Sequence, residues 1–278
     1  MKTEEAFKIV KLSDSEFDYF VKFVSQHYGI DLSQKRHLIE ARLAGELKAH
    51  GLVSYSQYID MLKADKTLKI IESVMNKLTT NYSFFSRETD HFDYLAKTII
   101  PEMEKNSKRT LKVWSAGCST GQEPYNIAMA IDSAVSFKRN LWSVSITATD
   151  VSTEALSIAA KGVYPESSLD VMPASWKANY MSKLPDGNFQ VAPNIRNMVS
   201  FKKFNLMDPF PYSNYYDIIF CRNVMIYFKP QTAQQIVKKF YQANTEGGYF
   251  FISHSETISR FDNDYTYLFP SVYRKQKK

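Results

Sequence analysis

Up to about Asn81 the apolar residues of this chain recur only at the three- and four-residue spacing of a helix face. In SDSEFDYFVKFVSQHYGI, the residues Phe17, Phe20, Val21, Val24 and Tyr28 form one stripe. Ser13 and Glu16 make a capping-box pair at its start, and Gly29 stops it. Ile39, Leu43 and Leu47 form a second stripe in QKRHLIEARLAGELKAHG. A third helix is predicted in SYSQYIDMLK, opened by Ser54 and Gln57, and a fourth in TLKIIESVMNKL, with Leu68, Ile71, Met75 and Leu78 facing inward. Residues 1–80 are therefore expected to be an all-helical N-terminal domain.

From about Leu111 strand-like runs alternate with helical ones. LKVWSAG is followed by a helical run, then by WSVSITATD and a helix capped by Ser152 in STEALSIAAKG. VSFKKFNLMD and YYDIIFCRN come next, then a helix opened by Pro230 in KPQTAQQIVKKFYQAN, then GGYFFISHSE. Such alternation predicts an α/β doubly wound fold over 111–278, a parallel sheet with helices on both faces, and YTYLFPSVYRK reads as a terminal antiparallel hairpin. Between about 162 and 199, prolines, the turn signal LPDGNF and short runs such as NFQVA break the alternation. That stretch is too long for a plain connection and is expected to be an inserted small antiparallel β-subdomain. Residues 81–110 are expected to be a linker.

With 44% apolar and 23% charged residues over 278 positions, the chain is not of disordered composition and has room for one sizeable domain and one smaller one. No apolar run is long enough to span a bilayer, and MKTEEAFKIVKLSDSEF has no signal-peptide core, so a cytosolic protein is expected. Arg274, Lys275, Lys277 and Lys278 supply four of the six net positive charges, so the remaining body does not require a nucleic-acid face. Cys118 and Cys221 lack zinc spacing and read as small, semi-buried thiols in a reducing compartment.

Two of only nine glycines, Gly117 and Gly121, fall in one predicted strand-to-helix turn, LKVWSAGCSTGQEPY. They serve either a tight turn or a ligand approaching bare backbone. The spacing is not G-x-G-x-x-G and no Lys or Arg follows to meet a phosphate. Glu123, at the start of the helix, would repel a phosphate and welcome an ammonium or sulfonium. Ligands of open α/β sheets lie beyond the carboxyl ends of the strands, where strand order reverses. The second strand ends there on Asp150, suited to accept both hydroxyls of a ribose, though it also reads as a helix N-terminal acid before STEA. The third strand ends on Asn205 and Asp208, the fourth on Arg222 and Asn223.

Six ordered blocks, LTTNYSFFSRETDHF, VWSAGCSTGQEPY, ATDVS, FNLMDPFP, YDIIFCRNVMIYF and GGYFFISHSET, resemble the CheR family of bacterial chemotaxis receptor glutamate methyltransferases over nearly the whole chain. The resemblance implies a class I methyltransferase that uses S-adenosyl-L-methionine, yields S-adenosyl-L-homocysteine and needs no metal. It also implies that the helical domain caps the site and that 81–110 closes over the cofactor. Carried over position by position, Asn81, Ser83 and Arg87 of the linker and Gly117 and Gly121 of the loop belong to the cofactor site. Glu123 meets the cofactor, Asp150 its ribose, and Asn205 and Leu206 its adenine. Arg222 and Asn223 lie nearer the reacting centre, and Tyr227 lines the substrate side. Ser83 stands where the family commonly has Thr and keeps the hydroxyl.

A glutamate acceptor, with an ordinary pKa of about 4.3, is already ionised at neutral pH, so no general base is required. Alignment in a water-poor site is the main task, with Arg87 and Tyr227 as the catalytic candidates. On residues alone, Arg87 reads sooner as a solvated charge paired with Glu88 or Asp90, and Tyr227 equally as an ordinary packed aromatic before a helix. His254 and Glu256 read as structural groups. One rival is a methyltransferase acting on nucleic acid or a small molecule, yet CRNVMIYF is not the Asn/Asp-Pro-Pro-Tyr clamp of amino-methylating nucleic-acid enzymes. Another is a non-catalytic cofactor-binding signalling scaffold, against which Asn81, Arg87, Asp150 and Tyr227 stand. The implied partner is the cytoplasmic helical domain of membrane chemoreceptors. Lys35, Arg36 and Arg42 are the docking candidates, Lys35 and Arg42 sharing a helix face at a spacing of seven, although Asp31, Glu40 and Glu46 nearly cancel their charge. The short hairpin around Asp186 and Gly187 favours docking without a receptor tail peptide. A monomer that neither enters the membrane nor binds nucleic acid is expected.

Overall fold

A computed structural model describes residues 10–277, and the chain divides after Thr80 into two compact units. Residues 1–9, on which the signal-peptide reading partly rests, and Lys278 of the basic tail lie outside the described residues.

The first unit contains α1 (Asp14–Tyr28), α2 (Arg36–Ala49), α3 (Tyr55–Ala64) and α4 (Lys69–Leu78). The capping box forms as expected: Ser13 Oγ accepts from the Glu16 amide, and the Ser13 amide donates to the Glu16 carboxylate. The second box is offset, since Gln57 Oε1 accepts from the Val53 amide and not from Ser54. Phe20, Val24, Ile39, Leu43, Leu47, Val74 and Met75 close one core. Leu68, predicted to face inward, is exposed in left-handed backbone at the start of α4. The Asp65 carboxylate takes the amides of Thr67 and Ile70 there and turns the chain, leaving Leu68 outside the stripe.

The second unit opens with α5 (Thr89–Tyr94), which runs through a π-helical turn (Leu95–Ile99) into α6 (Ile100–Lys105). Much of 81–110 is thus helix: Phe92, Leu95, Ile99 and Met103 recur at helical spacing and are buried in the core of this unit. The chain continues through β1 (Thr110–Ala116), α7 (Gln122–Val135), β2 (Ser143–Asp150) and α8 (Thr153–Lys161). A small insertion follows, with β3 (Val163–Tyr164), α9 (Ala174–Tyr180), β4 (Met181–Lys183), β5 (Phe189–Val191) and α10 (Pro193–Arg196). The last elements are β6 (Val199–Lys203), β7 (Tyr216–Phe220), α11 (Pro230–Ala243), β8 (Asn244–Phe251), β9 (Tyr265–Phe269) and β10 (Val272–Lys275).

The main sheet has the order β6-β2-β1-β7-β8-β10-β9; the first five strands are parallel, and β10 is antiparallel to both neighbours. Strand side chains alternate between faces: Val113, Ile218 and Phe220 enter one apolar cluster, Trp114, Ile219 and Phe250 the other. Both faces are covered, as the strand–helix alternation requires. β3, β5 and β4 form the separate antiparallel sheet expected of the insertion. Two residues of the expected basic tail belong to β10: Arg274 pairs with Glu102, and buried Lys275 donates to Asn214 and to the carbonyls of Tyr241 and Asn244. Strand order reverses between β1 and β7, and that reversal places the site.

Candidate active site

At the end of β1 the chain must turn sharply, and the two glycines do so for packing reasons. Gly117 has φ +81°, and a Cβ there would sit 2.3 Å from Val224 Cγ2; Gly121 has φ +96°, and a Cβ there would sit 2.8 Å from Ala159 Cβ of α8. The loop after β7 and helix α8 thus press on this turn. Gly117 and Cys118 donate to Thr149 O, which ties the turn to the end of β2. Cys118 and Cys221 are fully buried, more so than expected, and burial pushes both thiols well above their ordinary pKa.

Asp150 ends β2 with its carboxylate almost out of solvent. Its Oδ2 accepts from Ser119 N at 2.8 Å and its Oδ1 from Ser152 N at 2.9 Å. Burial raises its pKa, while those amide donors and that of Val151 act the other way. Three amides occupy three of the roughly four acceptor sites of the carboxylate, so it organises the loop and keeps room for a further donor such as a ribose hydroxyl. Ser152 caps α8 as predicted, through Ala155 N. Asn81 joins the same corner: its Nδ2 donates to Ser152 Oγ at 3.2 Å, and its carbonyl accepts from Ser119 Oγ at 2.9 Å.

Glu123, in the first turn of α7, accepts from Ser115 Oγ at 2.7 Å and from Arg222 Nη1 at 3.2 Å. Burial raises its pKa, Arg222 and Ser115 pull it down, and nearby Glu88 raises it again. Arg222 has only 2% of its side chain exposed and uses four of its five N–H donors: beyond Glu123 it holds Glu88 Oε2 through Nε and Nη2, and it donates to Arg87 O. The Arg87 guanidinium behaves differently. It lies over the Phe84 ring, 5.4 Å from the centroid, with no carboxylate partner among the described residues. Neither pairing open to it from sequence forms, because Glu88 is held by Arg222 and Asp90 faces His254.

Asn223 has left-handed backbone, φ +58°, and begins the turn that carries Tyr227. The amides of Asn223, Val224, Met225 and Ile226 all point at one carboxylate, that of Glu256, at 2.8–3.3 Å, and Ser253 N adds a fifth donor. A run of successive amides around an anion is a nest. Glu256 is structural, as expected, but its reach to the site has no signal in the local sequence. Tyr227 is half-buried, and its hydroxyl, like that of Ser83, makes no hydrogen bond among the described residues. Asn205 Oδ1 accepts from Met207 N, Leu206 is buried in the cluster around Trp114, and Lys239 Nζ ties the carbonyls of Leu206, Met207 and Asp208. Lys239, which no sequence signal singles out, holds the loop after β6 in place.

The docking candidates fare unevenly. Arg36 donates to Leu12 O and Asp14 and lies over Phe17, while Arg42 donates to the carbonyls of Lys77, Leu78 and Thr79 at the end of α4. Lys35 is exposed but precedes α2, so it and Arg42 do not present a shared charged face. Arg42 is a helix C-cap, a role compatible with the same spacing.

The donor chemistry fits a cationic nucleoside. Three shielded carboxylates, Asp150, Glu123 and Glu88, converge near the strand ends, with one guanidinium, Arg222, held between two of them. A doubly wound sheet with an acid ending its second strand suits a ribose-bearing ligand, and an acid opening the helix after its first favours a cationic one, the combination that a class I S-adenosylmethionine-dependent methyltransferase needs. Residues 15–79 match the family "CheR methyltransferase, all-alpha domain" and residues 81–273 match "CheR methyltransferase, SAM binding domain". The chain belongs to the CheR methyltransferase family. It is 40% identical over 273 residues to a chemotaxis protein methyltransferase of Borreliella burgdorferi, covering 96% of each chain. It is 34% identical to one of Vibrio parahaemolyticus, covering 90% of this chain and 92% of that one, and 32% identical to chemotaxis protein methyltransferase 1 of Pseudomonas aeruginosa, covering 91% and 94%. No helix among the described residues is long and apolar enough to cross a membrane.

Proposed function

We propose that this enzyme converts glutamate side chains of chemoreceptors to methyl esters, acting in the cytoplasm on the receptors' helical domain. The observation that carries the reading is the contrast between Arg222, held by two carboxylates, and Arg87, whose guanidinium has no acid of its own among the described residues. A cation left without a carboxylate suits an acceptor that brings one.

Asp150 and Asn81 hold the ribose side of S-adenosylmethionine, Glu123 its charged end, and Asn205 and Leu206 the adenine side. Gly117 and Gly121 shape the loop between them, Ser83 closes from the segment before α5, and Asn223 and Arg222 border the reacting centre. When bound, the cofactor supplies a methyl group on a sulfonium, open to in-line attack by a carboxylate oxygen. Arg87 orients that carboxylate through its planar fork without neutralising it fully, since a tight ion pair would stabilise the ground state. Tyr227 borders the acceptor and excludes water. No residue needs to remove a proton, because glutamate is ionised at neutral pH. Alignment of this kind lowers a barrier by roughly 7–11 kcal/mol.

The test is incubation with methyl-labelled S-adenosylmethionine and chemoreceptor-containing membranes, followed by mild alkali. Label released as methanol marks a carboxyl ester and is expected. Label that stays on protein, or appears on nucleic acid or a small molecule, defeats the reading.

A further inference from the structure

His91, in α5, is fully buried, and neither ring nitrogen has a hydrogen-bond partner among the described residues. Buried polar groups are normally paired, and an orphaned one costs free energy. A neutral imidazole so placed carries a lone pair open to a ligand. Methyl transfer uses none of this.

The groups around His91 are of metal-ligating type. Its Nδ1 is 3.6 Å from Glu88 Oε2, its ring centroid is 5.0 Å from that of His254, and His254 Nε2 is 3.2 Å from Asp90 Oδ1. Ligand atoms of Glu88, His91 and His254 all lie within 4.8 Å of one another. Zinc bonds of about 2.0–2.2 Å in a tetrahedron hold ligand atoms roughly 3.3–3.6 Å apart, so the shorter separations already suit an ion and the longest must close by little more than about 1 Å. The outer contacts fit as well. Ser271 Oγ lies 3.0 Å from His254 Nδ1, and a proton held there leaves Nε2 as the ligand atom. Arg222 holds Glu88 Oε2, while Oε1 meets only the His254 amide, at 3.3 Å. The Arg222 charge opposes a dication, and the two carboxylates of Glu88 and Asp90 offset it.

We infer that Glu88, His91 and His254 form a binding site for a first-row divalent cation of the zinc type, with the Asp90 carboxylate beside His254 adding negative charge. An ion held there ties the segment after Arg87 to the loop after β8. Untagged full-length protein is titrated with Co2+ and its visible absorption recorded. The expected result is one equivalent bound with tetrahedral absorption, displaced by Zn2+. Absorption should vanish in His254→Ala and weaken in Asp90→Asn, both at exposed positions, with melting curves confirming that each variant is folded. Ser271→Ala should reduce affinity roughly ten- to hundredfold through the lost orienting contact. Absence of tetrahedral absorption in the parent protein, or equal binding by folded His254→Ala, overturns the site.

Discussion

Arg222 and Arg87 belong to segments that touch, since Arg222 donates to the Arg87 carbonyl, yet the two side chains are treated in opposite ways. The segment after β7 is fixed: Arg222 is held by two carboxylates, and the turn that follows wraps its amides around Glu256. The segment before α5 is fixed through its backbone and leaves the Arg87 guanidinium over an aromatic ring. A buried charge held by two carboxylates is scaffold, whereas a cation beside that scaffold with no acid of its own among the described residues can meet an anionic substrate. The same distinction separates Arg42, spent on helix carbonyls, from exposed Lys35.

The largest effect should come from removing the scaffold. Glu256→Ala leaves the amides of 223–226 without their acceptor, and charge-assisted bonds contribute about 1.5–3 kcal/mol each, so a loss of about 3 kcal/mol or more is expected. Melting temperature and methyl transfer should fall together. A variant of unchanged stability would mean that the turn holds itself.

Arg87→Ala should do the reverse, lowering methyl transfer by about 100-fold, the scale of a misplaced reactant, while melting temperature barely moves. Tyr227→Phe should act in the same direction and more weakly. Full activity in both variants would place the acceptor elsewhere and erase the contrast between the two arginines.

Much of this site was legible because its signals are local. The Ser152 cap, the acid ending β2, the acid opening α7 and the glycine pair each lie within a few residues of the element they serve. What escaped was set by distant partners. Glu256 reaches amides 30–33 residues away, Arg222 reaches Glu88 across 134 positions, and Val224 adds a steric bar to the strain that the φ of +81° already sets against a side chain at Gly117. Local charge pattern offered Glu88 and Asp90 to Arg87, and only the fold reveals that both are engaged elsewhere. The helix through 89–105, expected only as linker, was missed although Phe92, Leu95, Ile99 and Met103 carry the spacing.

Asp150→Ala should weaken S-adenosylmethionine binding by about 1.5–3 kcal/mol for a lost charge-assisted bond, measured by calorimetry. The pH dependence sharpens this. Burial raises the Asp150 pKa, and only the ionised form offers all its acceptor sites to a ribose. As pH falls through that raised pKa, cofactor affinity should drop at a pH above the ordinary 3.8, and the acid limb due to Asp150 should be absent in the variant. Affinity that is unaltered by the substitution removes Asp150 from the site.

The smallest effect concerns docking, where the contrast between a used and an unused cation can be tested away from the chemistry. Charge reversal at Arg42 takes away a guanidinium that donates to Lys77 O, Leu78 O and Thr79 O, so Arg42→Glu should destabilise the helical unit whatever the receptor does. Lys35 is exposed, and its reversal should leave stability alone. If the receptor's Glu-rich helices meet this surface, Lys35→Glu should slow methylation by a few-fold, the scale of an exposed pair at about 0.2–1 kcal/mol, and the slowing should fade as salt screens it. Deleting the receptor's C-terminal tail should leave the rate nearly unchanged. Methylation that is indifferent to Lys35→Glu at low salt and abolished by tail deletion would move docking from the helical unit to the small antiparallel sheet.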